Sequence, residues 1–252
     1  MSTPNLSVLL YHRITRDGIR KPHSIEVSKF RRQMSWLRQS GFDVISQDRA
    51  VLALSDHEPL TRKSVVISFD DGFSDFPEYA LPVLSEFGYP SIIYVVAGLL
   101  GGPARWLNEG DRYGDEMIMS TSAIREISAL NVEIGSHTLS HPFLHQLSES
   151  ELVEELSGSK QLLEQAIGKE VKSFAYPYGV YNPDVVDQVR SAGYENAATV
   201  NRGSAYHSPS VFEVSRKAIS SGDSMIGFFH KLLFDNDFKR RPKQGLTNGH
   251  HY

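Results

Sequence analysis

The sequence predicts an α/β fold, one TIM-barrel-like domain of seven β/α units, closed or nearly so. Three observations lead to it. Segments rich in β-branched and aromatic residues alternate with segments of helical spacing along most of the chain, the order of a parallel sheet whose crossovers are helices. The strand segments run continuously apolar, as strands covered on both faces do. No linker or internal repeat divides the 252 residues, a length ordinary for a single α/β barrel.

The first strand is read at 6–12, "LSVLLYH". A helix follows over 27–41, where Phe30, Met34 and Leu37 share a face and Gly41 stops the run. The second strand, 63–69 ("KSVVISF"), leads to a helix at 76–87, and the third, 90–96 ("PSIIYVV"), to an irregular stretch at 98–119. That stretch is longer than ordinary connections and reads as an active-site loop. A helix at 121–130 precedes the fourth strand, 132–137 ("VEIGSH"). The helix at 148–167 opens with Ser148 as N-cap and Glu151 three residues on. The fifth strand is 172–177 ("KSFAYP"), followed by a helix at 183–192, the sixth strand at 196–200 and the seventh at 213–219 ("EVSRKAI"), with a last helix near 223–234. The barrel is therefore placed at 1–237. Residues 238–252, basic and aperiodic, are expected to form a flexible tail in which His250 and His251 are incidental.

Hydrophobic residues at 40% and charged residues at 22% give the balance of a globular chain and exclude intrinsic disorder. A net charge of −4 offers no positive field for nucleic acid, so no nucleic-acid partner is expected. There are no cysteines, so a metal would have to be held by histidine and carboxylate. The opening "MSTPNLSVLLYHRI" has no basic flank, and its apolar run is too short for a secretory signal or a membrane span. The expected location is the cytoplasm, or outside it or in the periplasm if a leader has been removed.

In parallel barrels the C-terminal ends of the strands meet on one face. By that rule His12, the pair Asp70-Asp71, His137 and the run Tyr176-Pro177-Tyr178 converge. Adjacent carboxylates at the end of a buried strand repel, and are tolerated where a cation sits nearby or one of them holds a proton. Asp-Asp-Gly is also plain turn chemistry. His137 and His141 are four apart, the spacing of one face of a helical turn, and read either as a ligand pair or as turn residues before Pro142. With a carboxylate from a neighbouring strand end they make two histidines and one acid, a ligand set of catalytic zinc sites.

"SFDDG", "HTLSH" and "FAYPYG", in this order, resemble the polysaccharide deacetylases of carbohydrate esterase family four, the family of the nodulation-deacetylase-like domain. The resemblance runs from "LLYHRI" to about residue 219. "YHRI" and the loop containing Trp106 are most similar to the branch acting on exopolysaccharides, including poly-β-1,6-N-acetylglucosamine. It implies a distorted (β/α)7 barrel and a hydrolase of carbon–nitrogen, non-peptide bonds that removes N-acetyl groups from a carbohydrate substrate. It also implies a divalent metal, zinc first and cobalt, nickel or manganese as alternatives, bound by Asp71, His137 and His141. In the same pattern Asp70 is the base, and the backbone N–H of Tyr178, just after Pro177, supports the oxyanion. A deacylase or deformylase acting on a lipid-linked sugar or small ureide, and a catalytically weak carbohydrate-binding scaffold, are the competing readings.

The sequence departs from the family pattern twice. Where much of the family has an arginine that orients the base, this chain has Ala175. Arg216, a charge inside the seventh expected strand, is the candidate to replace it by pointing inward to Asp70. The "leucine-any-His" motif that supplies a general acid is missing, and His230 falls in a helical segment. Proton return is then left to Asp70, to His12 or to water. His12, Trp106, Tyr176 and Pro177 are the expected substrate contacts, with Trp106 stacking on a sugar and the tyrosines lining the groove.

Overall fold

The computed structural model describes residues 5–19, 21, 23–107 and 116–233. Its strands are β1 (Leu6–Tyr11), β2 (Arg13–Thr15), β3 (Ser24–Glu26), β4 (Asp43–Val44), β5 (Ser64–Phe69), β6 (Ser91–Val95), β7 (Val132–Ser136), β8 (Ser173–Ala175), β9 (Asn196–Ala198) and β10 (Lys217–Ala218). The α-helices are α1 (Val27–Gln39), α2 (Gln47–Leu54), α3 (Leu81–Phe87), α4 (Thr121–Ser128), α5 (Glu149–Val153), α6 (Ser159–Ile167), α7 (Pro183–Ser191) and α8 (Met225–Leu233). Every pairing between these strands is parallel. The main sheet runs β10-β1-β5-β6-β7-β8-β9, with β4 on the lower part of β5, and curls into the distorted barrel that the sequence predicts.

The two-residue period of a strand explains why these segments are apolar throughout. Leu6 and Val8 of β1, Val66 of β5, Ile92 of β6 and Ala198 of β9 fill the barrel. Their neighbours Leu9, Ile67, Phe69 and Ile93 face outward under the helices. The same parity sends Ser68 and Asp70 inward at the C-terminal end of β5.

Three features depart from the sequence reading. The segment 213–219 is not one strand: Val214 bridges Ala198 of β9, and Lys217 and Ala218 pair with Leu9 and Leu10 of β1. One segment serves both edges of the sheet and cannot keep register with both, so it breaks at Ser215 and Arg216. The helix at 148–167 is interrupted by a π-helical stretch, Glu154–Gly158, and the helix at 76–87 opens with another, Phe76–Ala80. Finally, α2, which was not anticipated, plugs the barrel where the strands begin. Ala50 and Ala53 join the interior cluster, and Gln47 Nε2 donates to Asn196 Oδ1 at 3.0 Å. The first N–H groups of α2 donate to the Glu133 carboxylate at 2.7 and 3.2 Å.

The connection at 98–119 is tied down by bridges between Pro103 and Met117 and between Phe73 and Ile118. The expected tail at 238–252 lies outside the described residues. Among the described residues no helix is long and apolar enough to cross a membrane.

Candidate metal centre

At the end of β5 the chain turns sharply. Asp71 takes φ 74 and Gly72 φ 79, and a Cβ on Gly72 would stand 2.9 Å from Val95 Cγ1, so only glycine fits. The left-handed turn at Asp71 swings its carboxylate away from that of Asp70 and towards the loop after β7. Asp71 Oδ1 lies 3.6 Å from Nε2 of both His137 and His141, and the three donor atoms lie within 4.8 Å of one another. His137 ends β7 facing inward, and its Nδ1 is 2.8 Å from the Ala175 carbonyl. A carbonyl only accepts, so Nδ1 carries the proton and Nε2 turns its lone pair to the cluster.

His141 does not reach the cluster by helical spacing. Residues 137–141 form a loop with left-handed turns at Thr138 (φ 72) and His141 (φ 63). The Thr138 hydroxyl accepts the His141 N–H at 2.9 Å and donates to the His137 carbonyl at 2.5 Å. Four of the six non-glycine residues at positive φ among those described, Asp71, Thr138, His141 and Tyr178, belong to this site. Strain gathered in this way is typical of functional sites.

All three donors are buried. Burial, with Asp70 alongside, pushes the Asp71 carboxyl up, and burial pushes both imidazoles down. Among the described residues the His141 Nδ1 has no partner, and no N–H or O–H is hydrogen-bonded to the Asp71 carboxylate, which meets the two rings at 3.6 Å. Two imidazole nitrogens and a carboxylate oxygen converging with so little internal satisfaction suit a divalent cation.

Asp70 is held differently. Arg216, with no exposed surface, grips it with Nη1 to Oδ1 and Nη2 to Oδ2, both at 2.7 Å. The guanidinium also donates through Nε to the Thr199 carbonyl at 2.7 Å and through Nη1 to Ser68 Oγ at 3.3 Å, and it lies 5.5 Å from the Tyr94 ring centre. Burial alone would raise the Asp70 pKa, but the bidentate guanidinium outweighs it and holds the carboxyl at about 2. His12, half-buried, is pushed down to about 4 by burial against the opposing pull of Asp70.

Aromatic rings frame the cluster. Trp106 stacks on His141 (4.6 Å between centres, 25°), and Tyr178 meets the same imidazole edge-on at 4.5 Å. Tyr178 takes φ 58 immediately after Pro177. One expected substrate contact is corrected. Tyr176 is buried, stacked on Tyr181, with its hydroxyl donating to the Phe212 carbonyl, so it lines no groove. Pro177 is buried as well and shapes the turn. Two features escaped the sequence reading. Phe143, part-exposed, stacks on Tyr178 at 4.1 Å, and an aromatic directly after "HP" was its signal. Arg13 binds Asp75 and Glu116 at 2.7 and 2.5 Å and so anchors the long connection. Its signal was a charge inside the apolar opening of the chain.

The class that such a site belongs to, a curled parallel barrel with an Asp-His-His cluster and a clamped second carboxylate at its C-terminal strand ends, is given by the comparison with known families. Residues 57–197 match the family model for polysaccharide deacetylases, and the chain belongs to that family, whose members hydrolyse carbon–nitrogen bonds. The poly-β-1,6-N-acetyl-D-glucosamine N-deacetylase of Escherichia coli K12 is 23% identical over 243 residues, covering 83% of this chain and 36% of the relative. The chain therefore spans about a third of that enzyme. The fold is shared with the Streptococcus pyogenes deacetylase PplD, solved in complex with acetate (TM-score 0.77, 22% identity, 92% of this chain and 99% of that one). It is shared also with IcaB of Ammonifex degensii (TM-score 0.75, 25% identity, 91% and 97%).

Proposed function

We propose that the protein is a metal-dependent N-deacetylase of an N-acetylated polysaccharide, of the poly-β-1,6-N-acetylglucosamine kind for which its Escherichia coli relative is named. The observation that carries this reading is the divergence of two neighbouring carboxylates, Asp70 gripped by Arg216 and Asp71 turned onto two imidazoles. A divalent ion held by Asp71, His137 and His141, zinc before cobalt, nickel or manganese, would supply Lewis acidity to the amide carbonyl and acidify the attacking water. Asp70 takes that water's proton. Held at about 2, it is a weak base, suited only to a donor made acidic in this way. Arg216 fixes both of its oxygens, so the proton is received in one orientation. The backbone N–H of Tyr178 donates to the carbonyl oxygen as charge gathers there. Asp70, a strong acid once protonated, returns the proton to the leaving nitrogen, giving acetate and a free amine.

The test pairs elemental analysis of the purified protein with acetate release from N-acetylglucosamine oligomers. About one divalent metal per chain is expected, lost in His141→Ala. Asp70→Asn is expected to keep the metal and to slow turnover by about 10²–10⁴-fold. A metal-free protein, or Asp70→Asn turning over at close to the unaltered rate, would overturn the reading.

A further inference from the structure

The loop that carries His141 is held from outside by a carboxylate with no part in the chemistry above. The left-handed turn at Thr138 aims the N–H groups of Leu139 and Ser140 at a single point, the concave arrangement of successive N–H groups that binds anions. The chain supplies the anion itself. Glu155 Oε2 accepts both N–H groups, at 2.8 and 3.0 Å, and Oε1 accepts the Ser140 hydroxyl at 2.5 Å. On the loop's other side, the carbonyls of Thr138 and Leu139 accept the N–H groups of Ala97 and Gly98 at 2.8 and 2.9 Å. Two glycines permit these approaches. A Cβ on Gly98 would stand 2.5 Å from the Leu139 oxygen, and one on Gly158 would stand 3.0 Å from Leu139 Cδ1. Glu155 and Gly158 both belong to the π-helical stretch Glu154–Gly158, and local widening of this kind recurs at functional sites.

We propose that Glu155 is the positioning residue for His141. By filling the cradle of N–H groups it fixes the turns at Thr138 and His141, and with them the place of the imidazole relative to Asp71. The inference rests on reading Asp71, His137 and His141 as metal ligands.

The experiment measures zinc affinity of the metal-stripped protein by competition with a chromophoric chelator, the visible spectrum of the cobalt(II)-substituted protein, and the thermal midpoint with and without zinc. Glu155→Ala is expected to weaken zinc binding by about 10–100-fold, to alter the cobalt bands and to shrink the rise in midpoint that zinc produces. Glu155→Gln keeps an oxygen for both N–H groups and offers an amide N–H to the Ser140 oxygen, which then accepts, and is expected to rescue all three. Glu155→Asp keeps the charge but withdraws it by one methylene, and reads the same quantities should the alanine variant not fold. Unchanged affinity and cobalt bands, or a midpoint lowered equally with and without zinc, would show a merely structural role and overturn the proposal while the ligand reading stands. Failure of the unaltered protein to bind zinc or cobalt would overturn the ligand reading and the proposal together.

Discussion

A guanidinium with no exposed surface sets the chemistry of the carboxylate it grips. Arg216→Met keeps the volume and removes the charge, so the strongest opposition to burial is lost and the pKa of Asp70 rises. A base protonated at higher pH is lost sooner as pH falls. The acid limb of the pH–rate profile is therefore expected to move to higher pH, with a lower rate at neutrality. Urea titration is expected to show a loss of about 3–5 kcal/mol, because one partner of a buried pair has been removed. An unmoved acid limb would mean that Arg216 does not govern the base. This residue was legible because a charge in an apolar run must find an anion, and the gap at Ala175 said which one. Asp71, His137 and His141 were legible as residue types, although the geometry that joins them comes from left-handed turns at Asp71, Thr138 and His141 and not from a helix. Tyr176 was misplaced by ignoring parity. Ala175 faces the interior, so Phe174 and Tyr176 on either side of it face outward into the helix-covered core.

At the scale of elements, the strands could be read because burial on both faces leaves a continuous apolar run. The helix α2 could not. It is short, "QDRAVLAL" carries few large apolar residues, and what holds it are partners 86 and 149 positions away, Glu133 and Asn196. The π-helical stretches likewise answer to distant contacts and leave no local periodicity. Glu133 gives α2 a pH dependence. Burial pushes its carboxyl from 4.5 up to about 7 in the folded protein, with Asp48 adding to the shift. Between those values the folded state keeps a proton that the unfolded state has released, so stability contributed by this group is full below about 4.5 and declines as pH rises to about 7. Glu133→Gln cannot titrate. Urea unfolding at pH 5, 6, 7 and 8 is expected to show a shallower decline than in the unaltered protein, and parallel profiles would place the titration elsewhere.

For the whole molecule, the two apolar clusters, one inside the barrel and one under the helices, hold the fold apart from the Asp71, His137 and His141 cluster at its rim. Stripping the metal with a chelator is therefore expected to abolish turnover, leave the far-ultraviolet circular dichroism unchanged and lower the thermal midpoint by only roughly 5–15 °C. Collapse of the dichroism on chelation would show that the ion organises the fold. The joint of the barrel lies elsewhere. The single segment that reaches from Ala198 of β9 to Leu9 and Leu10 of β1 carries Arg216 at its break. That joint is thus also the fastening of Asp70. A barrel that springs open there withdraws the guanidinium and leaves Asp70 free to take up a proton. Closure of the fold and the charge state of Asp70 are thereby tied to one side chain.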